Sequence, residues 1–163
     1  MTVPDLAIEI WDEIFDHSKR DYPAECCGIV TEDGGGIHRV HWCDNIQDQL
    51  HSTDPEAHPR TSREAYRMDN LQVHRIVTEA EGAGGRVVAF YHSHIDCDAY
   101  FSKEDRMAAT PFGQPAFPEV TYLVVSVVEG ELKGKKAFRW DEEEEIFAEV
   151  DLQLIPGPFR NKA

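Results

Sequence analysis

Residues 86–105 have the sequence RVVAFYHSHIDCDAYFSKED, and this stretch determines the expected fold and the expected site. Its first part, RVVAFYH, is rich in β-branched and aromatic side chains, which favours a buried strand. Its last part, SKED, is typical of a helix start, because a serine is followed three residues later by an acid. The stretch therefore predicts a strand, a loop and a helix in direct succession.

An amphipathic helix and a hairpin are predicted before this stretch. Apolar residues recur at three- and four-residue steps from Leu6 to Phe15, and the helix that they indicate is expected to end before Pro23. Residues 26–31 and 37–43 have extended patterns, and the glycine-rich segment between them is typical of a hairpin turn.

The other segments continue the alternation of helices and strands. Residues 45–60 are polar and are expected to form a loop, whereas residues 68–81 are expected to form a helix with its apolar residues on one side. Those apolar residues are Leu71, Val73, Ile76 and Val77. A second hairpin is predicted for residues 120–128 and 131–140, and a last strand for residues 146–155.

This order of elements predicts an α/β fold in which a mixed β-sheet has helices on both faces. A chain of 163 residues suits one domain, which we expect to occupy residues 1–155. Residues 156–163 begin with Pro-Gly-Pro and are expected to form a loose tail.

The charge balance excludes some classes of partner. Sixteen basic and 31 acidic residues give a formal charge of −15, which disfavours binding to nucleic acid or to anionic membranes. The first residues, MTVPDL, carry no positive charge, and no apolar run approaches the ~20 residues of a membrane span. Four cysteines without a spaced pair are typical of reduced thiols, so a cytoplasmic protein is expected.

Two histidines at the predicted strand end are candidate metal ligands. Side chains two apart on a strand point the same way, so His92 and His94 are expected to face one spot. Asp105 lies at the start of the next helix, which can fold back beside both imidazoles. Two neutral imidazoles and one carboxylate, with one position left for water, form a common catalytic zinc site.

These residues alone leave other interpretations open. His92 and His94 could be surface residues or a hydrogen-bonded core pair, and Asp105 could only close a capping box with Ser102. Two histidines and one carboxylate also bind iron in non-haem oxygenases, although those enzymes usually have a His-x-Asp motif in an all-β barrel.

Three segments together resemble the JAMM (MPN-plus) family of zinc metalloproteases. They are PAECCG at residues 23–28, YHSH at residues 91–94, and the Ser-x-x-Asp pair Ser102 and Asp105, whose spacing from His-Ser-His matches the family without gaps. The resemblance covers residues 6–128 and implies the MPN fold, a three-layer-like, cytidine-deaminase-like arrangement around a curved mixed sheet. Ile95 departs from the family, which has a proline there that supplies no ligand.

The resemblance also implies the roles of the site residues. His92, His94 and Asp105 would hold one Zn²⁺ ion, Glu25 would act as the general acid and base, and Ser102 would donate a hydrogen bond to the oxyanion. The implied function is hydrolysis of a peptide or isopeptide bond at the Gly-Gly tail of a ubiquitin-like sulfur-carrier protein. A non-catalytic scaffold, which the family also contains, is the alternative.

Overall fold

The structure is a computed structural model that describes residues 5–151, 153–155 and 159–160. In chain order, its helices are α1 (Ile10–Asp21), α2 (Gln47–Thr53), α3 (Asn70–Gly82) and α4 (Lys103–Ala109). Its strands are β1 (Asp5–Ala7), β2 (Cys27–Glu32), β3 (His38–Cys43), β4 (Arg86–Ile95), β5 (Thr121–Val128), β6 (Glu131–Asp141), β7 (Ile146–Val150), β8 (Gln153–Ile155) and β9 (Phe159–Arg160).

One mixed sheet organises these elements. Its strand order is β7-β6-β5-β4-β2-β3, and the two-residue β9 extends it beside β3. The central pair β4 and β5 is parallel, whereas β2 is antiparallel to both β3 and β4. Strands β1 and β8 form a separate parallel pair. Both predicted hairpins and the mixed α/β class are confirmed.

Helices cover both faces of the sheet, as expected. Helix α1 packs on one buried apolar cluster, and α3 and α4 contribute to a second cluster on the opposite face. The first cluster includes Ile10, Ile14, Val30, Tyr91 and Leu123. The second includes Ile76, Phe90, Ala109, Tyr122 and Val124. Because strand side chains alternate, the even-numbered residues of β4 from Phe90 onward face α3 and α4.

A close contact between β2 and β4 anchors α1 to the sheet. Gly28 lies opposite Tyr91, and a Cβ atom at Gly28 would overlap the tyrosine ring. The Tyr91 hydroxyl lies 2.7 Å from Nδ1 of the buried His17, whose Nε2 lies 3.2 Å from a carboxylate oxygen of Asp21. Glycine at position 28 therefore makes room for a polar chain that joins β4 to α1.

The structure corrects the predicted start of one helix and the predicted buried side of another. Helix α1 begins at Ile10, so Leu6 lies in β1 rather than in the helix. In α3, Ile76 is buried, but Leu71 is 79% exposed and does not belong to the buried side. Leu71 lies in the first turn, where the Asp69 carboxylate caps the helix by accepting the Leu71 N–H.

The predicted loop over residues 45–60 is wrong in its middle, where α2 forms. Among its residues only Gln47 is buried, so no apolar periodicity marks this helix in the sequence. Polar contacts hold it instead: the Asn45 side chain accepts the Gln47 N–H, and the Gln47 side chain donates to the carbonyl of Arg60.

The predicted last strand, residues 146–155, is two strands with different partners. Strand β7 pairs with β6, whereas β8 pairs with β1. Within the expected loose tail, Phe159 and Arg160 form β9 against β3. Residues 156–158 and 161–163 of that tail lie outside the described residues, and the domain boundary at 155 stays a prediction. No helix in the described ranges is long and apolar enough to span a membrane.

Candidate active site

The two histidines lie near the end of β4, on the sheet face that α3 and α4 cover. His92 is 1% exposed and His94 is 4% exposed, so both imidazoles are removed from solvent. Their Nε2 atoms lie 3.2 Å apart, as the two-residue strand period predicts. The interpretation of these residues as surface histidines is therefore wrong.

Asp105 brings a carboxylate oxygen to the same point from the first turn of α4. Its Oδ2 lies 3.1 Å from Nε2 of His92 and 3.2 Å from Nε2 of His94. Tetrahedral zinc with ligand bonds of about 2.0–2.1 Å places its ligand atoms about 3.3 Å apart. The three observed separations match that requirement, so the residues present fit a single metal ion. Among the described residues, His92, His94 and Asp105 form the group that could hold a metal ion, and we call these three candidate ligands the metal-ligand group.

Asp105 is held as an anion in this setting. Burial raises its pKa, but the charge and hydrogen bond of His92 and the hydrogen bonds of His94 and the Ser102 N–H outweigh burial and lower the pKa well below its usual range. An ionised carboxylate among nitrogen atoms is the form that a divalent cation requires.

Two contacts orient the imidazole of His94. Its Nδ1 lies 2.9 Å from the carbonyl oxygen of Asp98. Because a carbonyl only accepts, Nδ1 carries a proton in this contact, which leaves Nε2 as the nitrogen that would bind a metal ion. The ring of Tyr100 meets the His94 ring edge-on, with 4.7 Å between centroids. The backbone beyond β4 thus selects the tautomer that can bind a metal.

His92 is supported from the loop that precedes α3. The ring of Tyr66 stacks on its imidazole at 4.5 Å between centroids and 26° between planes. On the neighbouring strand, Cys27 pairs in register with His92, which places the start of β2 beside the metal-ligand group.

Glu25 lies two residues before the start of β2, and backbone contacts hold it in place. Its N–H donates to the carbonyl of Ser62 at 2.7 Å, and its own carbonyl accepts from the Asn45 side chain at 2.9 Å. The next residue, Cys26, donates its N–H to the Ser93 hydroxyl at 2.8 Å. The serine between the two histidines therefore ties their strand to the segment that carries Glu25.

The Glu25 side chain is 5% exposed and lines a cleft of about 260 Å³. Burial, followed by the charge of Asp105, raises the pKa of its carboxyl group to about 9, although the charge of Arg60 lowers it. Ser102, His94, Asp105, Cys97, Tyr100, Arg60 and Arg63 line the same cleft. The structure thus brings all five predicted site residues together, four at the cleft surface and His92 behind them.

Ser102 caps α4 and faces the cleft. Its Oγ accepts the N–H of Asp105 at 3.0 Å, and the Asp105 carboxylate accepts the N–H of Ser102 at 2.9 Å. The capping-box interpretation is confirmed, and it coexists with the metal-ligand geometry because Asp105 uses one oxygen for both.

The loop between β4 and α4 leaves the strand at Asp96, whose φ of 56° lies in the left-handed region. The Asp96 carboxylate accepts hydrogen bonds from the Tyr22 hydroxyl, the Arg63 guanidinium and the N–H of Glu129. These contacts fix the turn that follows Ile95. Cys97 is exposed at the cleft and lies outside the metal-ligand group.

Sequence reasoning missed several residues that support the site. Ser93 and Tyr66 support the site through contacts between segments that are distant in the sequence, and Tyr100 does so through a ring contact with the nearby His94. The contact of Asp98 uses its backbone carbonyl, which its side chain does not reveal in the sequence. For Ser93, the available signal in the sequence was its position as a small polar residue between two candidate ligands.

Comparison with known proteins gives a consistent result. A family model described as prokaryotic homologs of the JAB domain matches residues 8–141. The desampylase of Haloferax volcanii is 31% identical over 127 residues, which span 74% of this chain and 78% of that protein. The CysO-cysteine peptidase of Mycobacterium tuberculosis is 29% identical over 110 residues, which span 68% of this chain and 64% of that protein.

A solved structure supports the fold. The solution structure of a Desulfitobacterium hafniense protein superposes with a TM-score of 0.67 at 21% identity, and the match covers 94% of this chain and 93% of that one. At this level of identity the likeness concerns the fold alone.

Proposed function

Because this chain belongs to the family of prokaryotic homologs of the JAB domain, we propose that it is a zinc-dependent peptidase or isopeptidase acting on the C-terminal Gly-Gly tail of a ubiquitin-like sulfur-carrier protein. The observation that carries the proposal is the convergence of His92, His94 and Asp105 beside the buried Glu25 in one cleft. The names of two relatives, a desampylase and a CysO-cysteine peptidase, support this class of substrate.

Zinc is the proposed ion, with His92, His94 and Asp105 as its protein ligands. Nitrogen and carboxylate donors spaced by 3.1–3.2 Å suit its tetrahedral geometry and leave one position free. When bound there, zinc would lower the pKa of a coordinated water and polarise the scissile carbonyl.

Glu25 is the proposed general base and acid. It takes a proton from the attacking water and delivers it to the leaving amine as the C–N bond breaks. Its burial keeps bulk water from competing for that proton, and the backbone bonds to Ser62 and Asn45 hold it in place. A raised pKa suits the step in which the carboxyl group donates, and the charge of a zinc ion bound beside it would lower the pKa toward the ionised form that accepts.

Ser102 is the proposed oxyanion donor. Its oxygen already accepts the Asp105 N–H, which orients the hydroxyl and leaves its hydrogen to donate into the cleft. A donor held in advance stabilises developing negative charge on the substrate carbonyl without reorganisation.

The alternatives receive less support. The chain folds as a mixed sheet with helices on both faces, not as the all-β barrel of the iron oxygenases considered above. A non-catalytic scaffold would not need three ligand atoms at metal-binding separations next to a buried glutamate.

The test uses purified, zinc-loaded protein and sulfur carriers that bear an extension after Gly-Gly. Intact mass spectrometry is expected to show loss of the extension at that position, inhibition by a chelator and recovery with added zinc. Failure to cleave any carrier, or cleavage that survives complete removal of metal, would contradict the proposal.

A further inference from the structure

Two arginines line the catalytic cleft of a chain with a net charge of −15. They are Arg60 and Arg63, both on the segment between α2 and α3. An excess of acidic residues disfavours anionic ligands over most of the surface, so cationic side chains at the cleft are an exception to the overall charge. Arginine is the side chain best suited to carboxylates, because its planar fork donates two parallel hydrogen bonds.

The two arginines differ in how they are held. Arg63 donates to Asp96, which also binds Tyr22 and the backbone of Glu129, so it belongs to the structure of the loop. Arg60 pairs with Glu104 at 2.8 Å, and the two side chains are 44% and 46% exposed. An exposed ion pair contributes little to stability, so a carboxylate of the substrate can replace Glu104 at little cost.

Arg60 is anchored at its backbone while its guanidinium is free to change partner. The carbonyl of Arg60 accepts from the Gln47 side chain in α2, and two residues later Ser62 binds Asp48 through both its N–H and its hydroxyl. The Ser62 carbonyl in turn accepts the N–H of Glu25. Arg60 is thus two residues from the backbone group that holds the proposed base.

The position of Arg60 relative to Glu25 indicates which part of a substrate it meets. Glu25 must reach the leaving nitrogen, because it protonates that atom. In a chain extended by one residue, the leaving nitrogen and the terminal carboxylate are attached to the same Cα atom. In an isopeptide, by contrast, the leaving nitrogen is the Nζ atom of a lysine, which has no carboxylate nearby. Arg60 lines the same cleft and its charge acts on the Glu25 carboxyl, so it is close to this side of the reaction.

We infer that Arg60 binds the free α-carboxylate of a single residue attached to the carrier's Gly-Gly end, and thereby selects a one-residue extension over an isopeptide-linked protein. The inference rests on the proposed function and specifies its substrate class. Water adds to the glycine carbonyl and the C–N bond breaks. The carrier keeps a glycine carboxylate, and a free amino acid leaves with its nitrogen protonated. A cleft of about 260 Å³ is small, which suits a leaving group of one residue.

The test compares three substrates built on one carrier: Gly-Gly followed by one residue with a free carboxylate, the same residue as its carboxamide, and Gly-Gly joined to lysine Nζ. Wild-type protein is expected to cleave the acid with a kcat/KM about 10- to 100-fold above that of the amide. Arg60→Gln is expected to remove this preference, because it slows cleavage of the acid much more than cleavage of the amide. Arg75→Gln, at an exposed position of α3, is the matched control and keeps the preference.

Equal rates for acid and amide in the wild-type protein, faster cleavage of the isopeptide, or an equal loss on both substrates in Arg60→Gln would overturn the inference. Cleavage of none of the three would instead count against the proposed function. For that case, calorimetric titration of Glu25→Gln protein with Gly-Gly-X peptides tests recognition apart from turnover. The acid is expected to bind about tenfold or more tightly than the amide, and adding Arg60→Gln removes the difference; equal binding would overturn the inference.

Discussion

Ser102 and Asp105 cap each other across the first turn of α4, and the Asp105 oxygen that accepts the Ser102 N–H at 2.9 Å is also the atom that lies 3.1 Å from Nε2 of His92. One carboxylate oxygen therefore fixes the start of the helix and completes the metal-ligand group. The capped first turn of α4 positions the Asp105 carboxylate, so the start of this helix is itself part of the candidate site.

Replacing Ser102 with alanine is expected to affect both roles. Loss of the cap lowers the free energy of unfolding by about 1 kcal/mol, and loss of the oxyanion donor lowers kcat by about 10²–10³. Denaturant unfolding and steady-state kinetics measure the two effects. Ser102→Thr keeps a hydroxyl and a cap and serves as the control. A kcat near the wild-type value in Ser102→Ala would remove this residue from the mechanism.

Asp105→Asn separates the helix-capping role of residue 105 from its proposed role as a metal ligand. The amide oxygen can still accept the Ser102 N–H, so the capping hydrogen bond at the start of α4 is expected to remain. Zinc content after gel filtration is expected to fall from one ion per chain to a small fraction, because a neutral amide replaces an anionic ligand. Full zinc occupancy in the variant would show that Asp105 is not a ligand.

Glu25→Gln is expected to retain zinc and lose cleavage, because the residue contributes proton transfer rather than a ligand atom. A loss of about 10²–10⁴ in kcat is the usual size of a general acid–base contribution. Metal analysis and single-turnover cleavage of a Gly-Gly-X substrate measure the two quantities on the same preparation. Wild-type turnover in the variant would contradict the assigned role.

The raised pKa of Glu25 predicts that the stability of the zinc-free protein depends on pH, and Glu25→Gln tests this. The pKa of Glu25 is raised from its ordinary value of 4.5 to about 9 by burial and by Asp105. Between these values the folded chain keeps a proton that the unfolded chain releases, so this group lowers stability as pH rises. Glu25→Gln removes that loss and is expected to exceed wild-type stability by up to about 3 kcal/mol at pH 7.

Urea unfolding in the presence of a chelator measures this difference. At pH 5 the variant and the wild-type protein are expected to have similar stabilities, and the advantage of the variant grows toward pH 8.5. A difference that is constant across this range would show that the Glu25 carboxyl is not protonated in the folded, metal-free protein.

Asp96→Ala tests the turn beyond β4. Removing the carboxylate frees Arg63 and Tyr22 and leaves alanine at a φ of 56°, so the segment that presents the Asp98 carbonyl to His94 loses its support. Zinc affinity, measured by competition with a chromophoric chelator, is expected to fall about tenfold. Asp96→Asn tolerates this φ and still accepts the Glu129 N–H, so its loss is expected to be smaller. Unchanged affinity in both variants would contradict the role of the turn.

The metal-ligand group could be predicted because its determinants are local. The two-residue period of a strand brings His92 and His94 to one side of β4, and the helix start at Ser102 places Asp105 in the first turn of α4. Glu25 was found through family resemblance, because an acidic residue before a strand has no distinguishing local pattern.

Other parts of the site depend on contacts that no local pattern encodes. Helix α2 is polar and is held by side-chain hydrogen bonds, so hydrophobic periodicity could not reveal it. The stacking of Tyr66 on His92 joins residues far apart in the chain, and it exists only once the sheet has formed. The packing of the whole chain, rather than any single motif, supplies the support around the ligands.

The hydrogen bond from Glu25 to the Ser62 carbonyl has an evolutionary consequence. The segment that presents Arg60 to the leaving group is the same segment that holds the base in place. Substitutions or insertions between α2 and α3 that alter substrate choice will therefore also displace the proton-transfer group. In this fold, a substitution that changes substrate selectivity is therefore expected to lower the turnover rate as well. A compensating substitution at Asn45, Asp48 or Ser62 is expected to be needed before the full rate is restored.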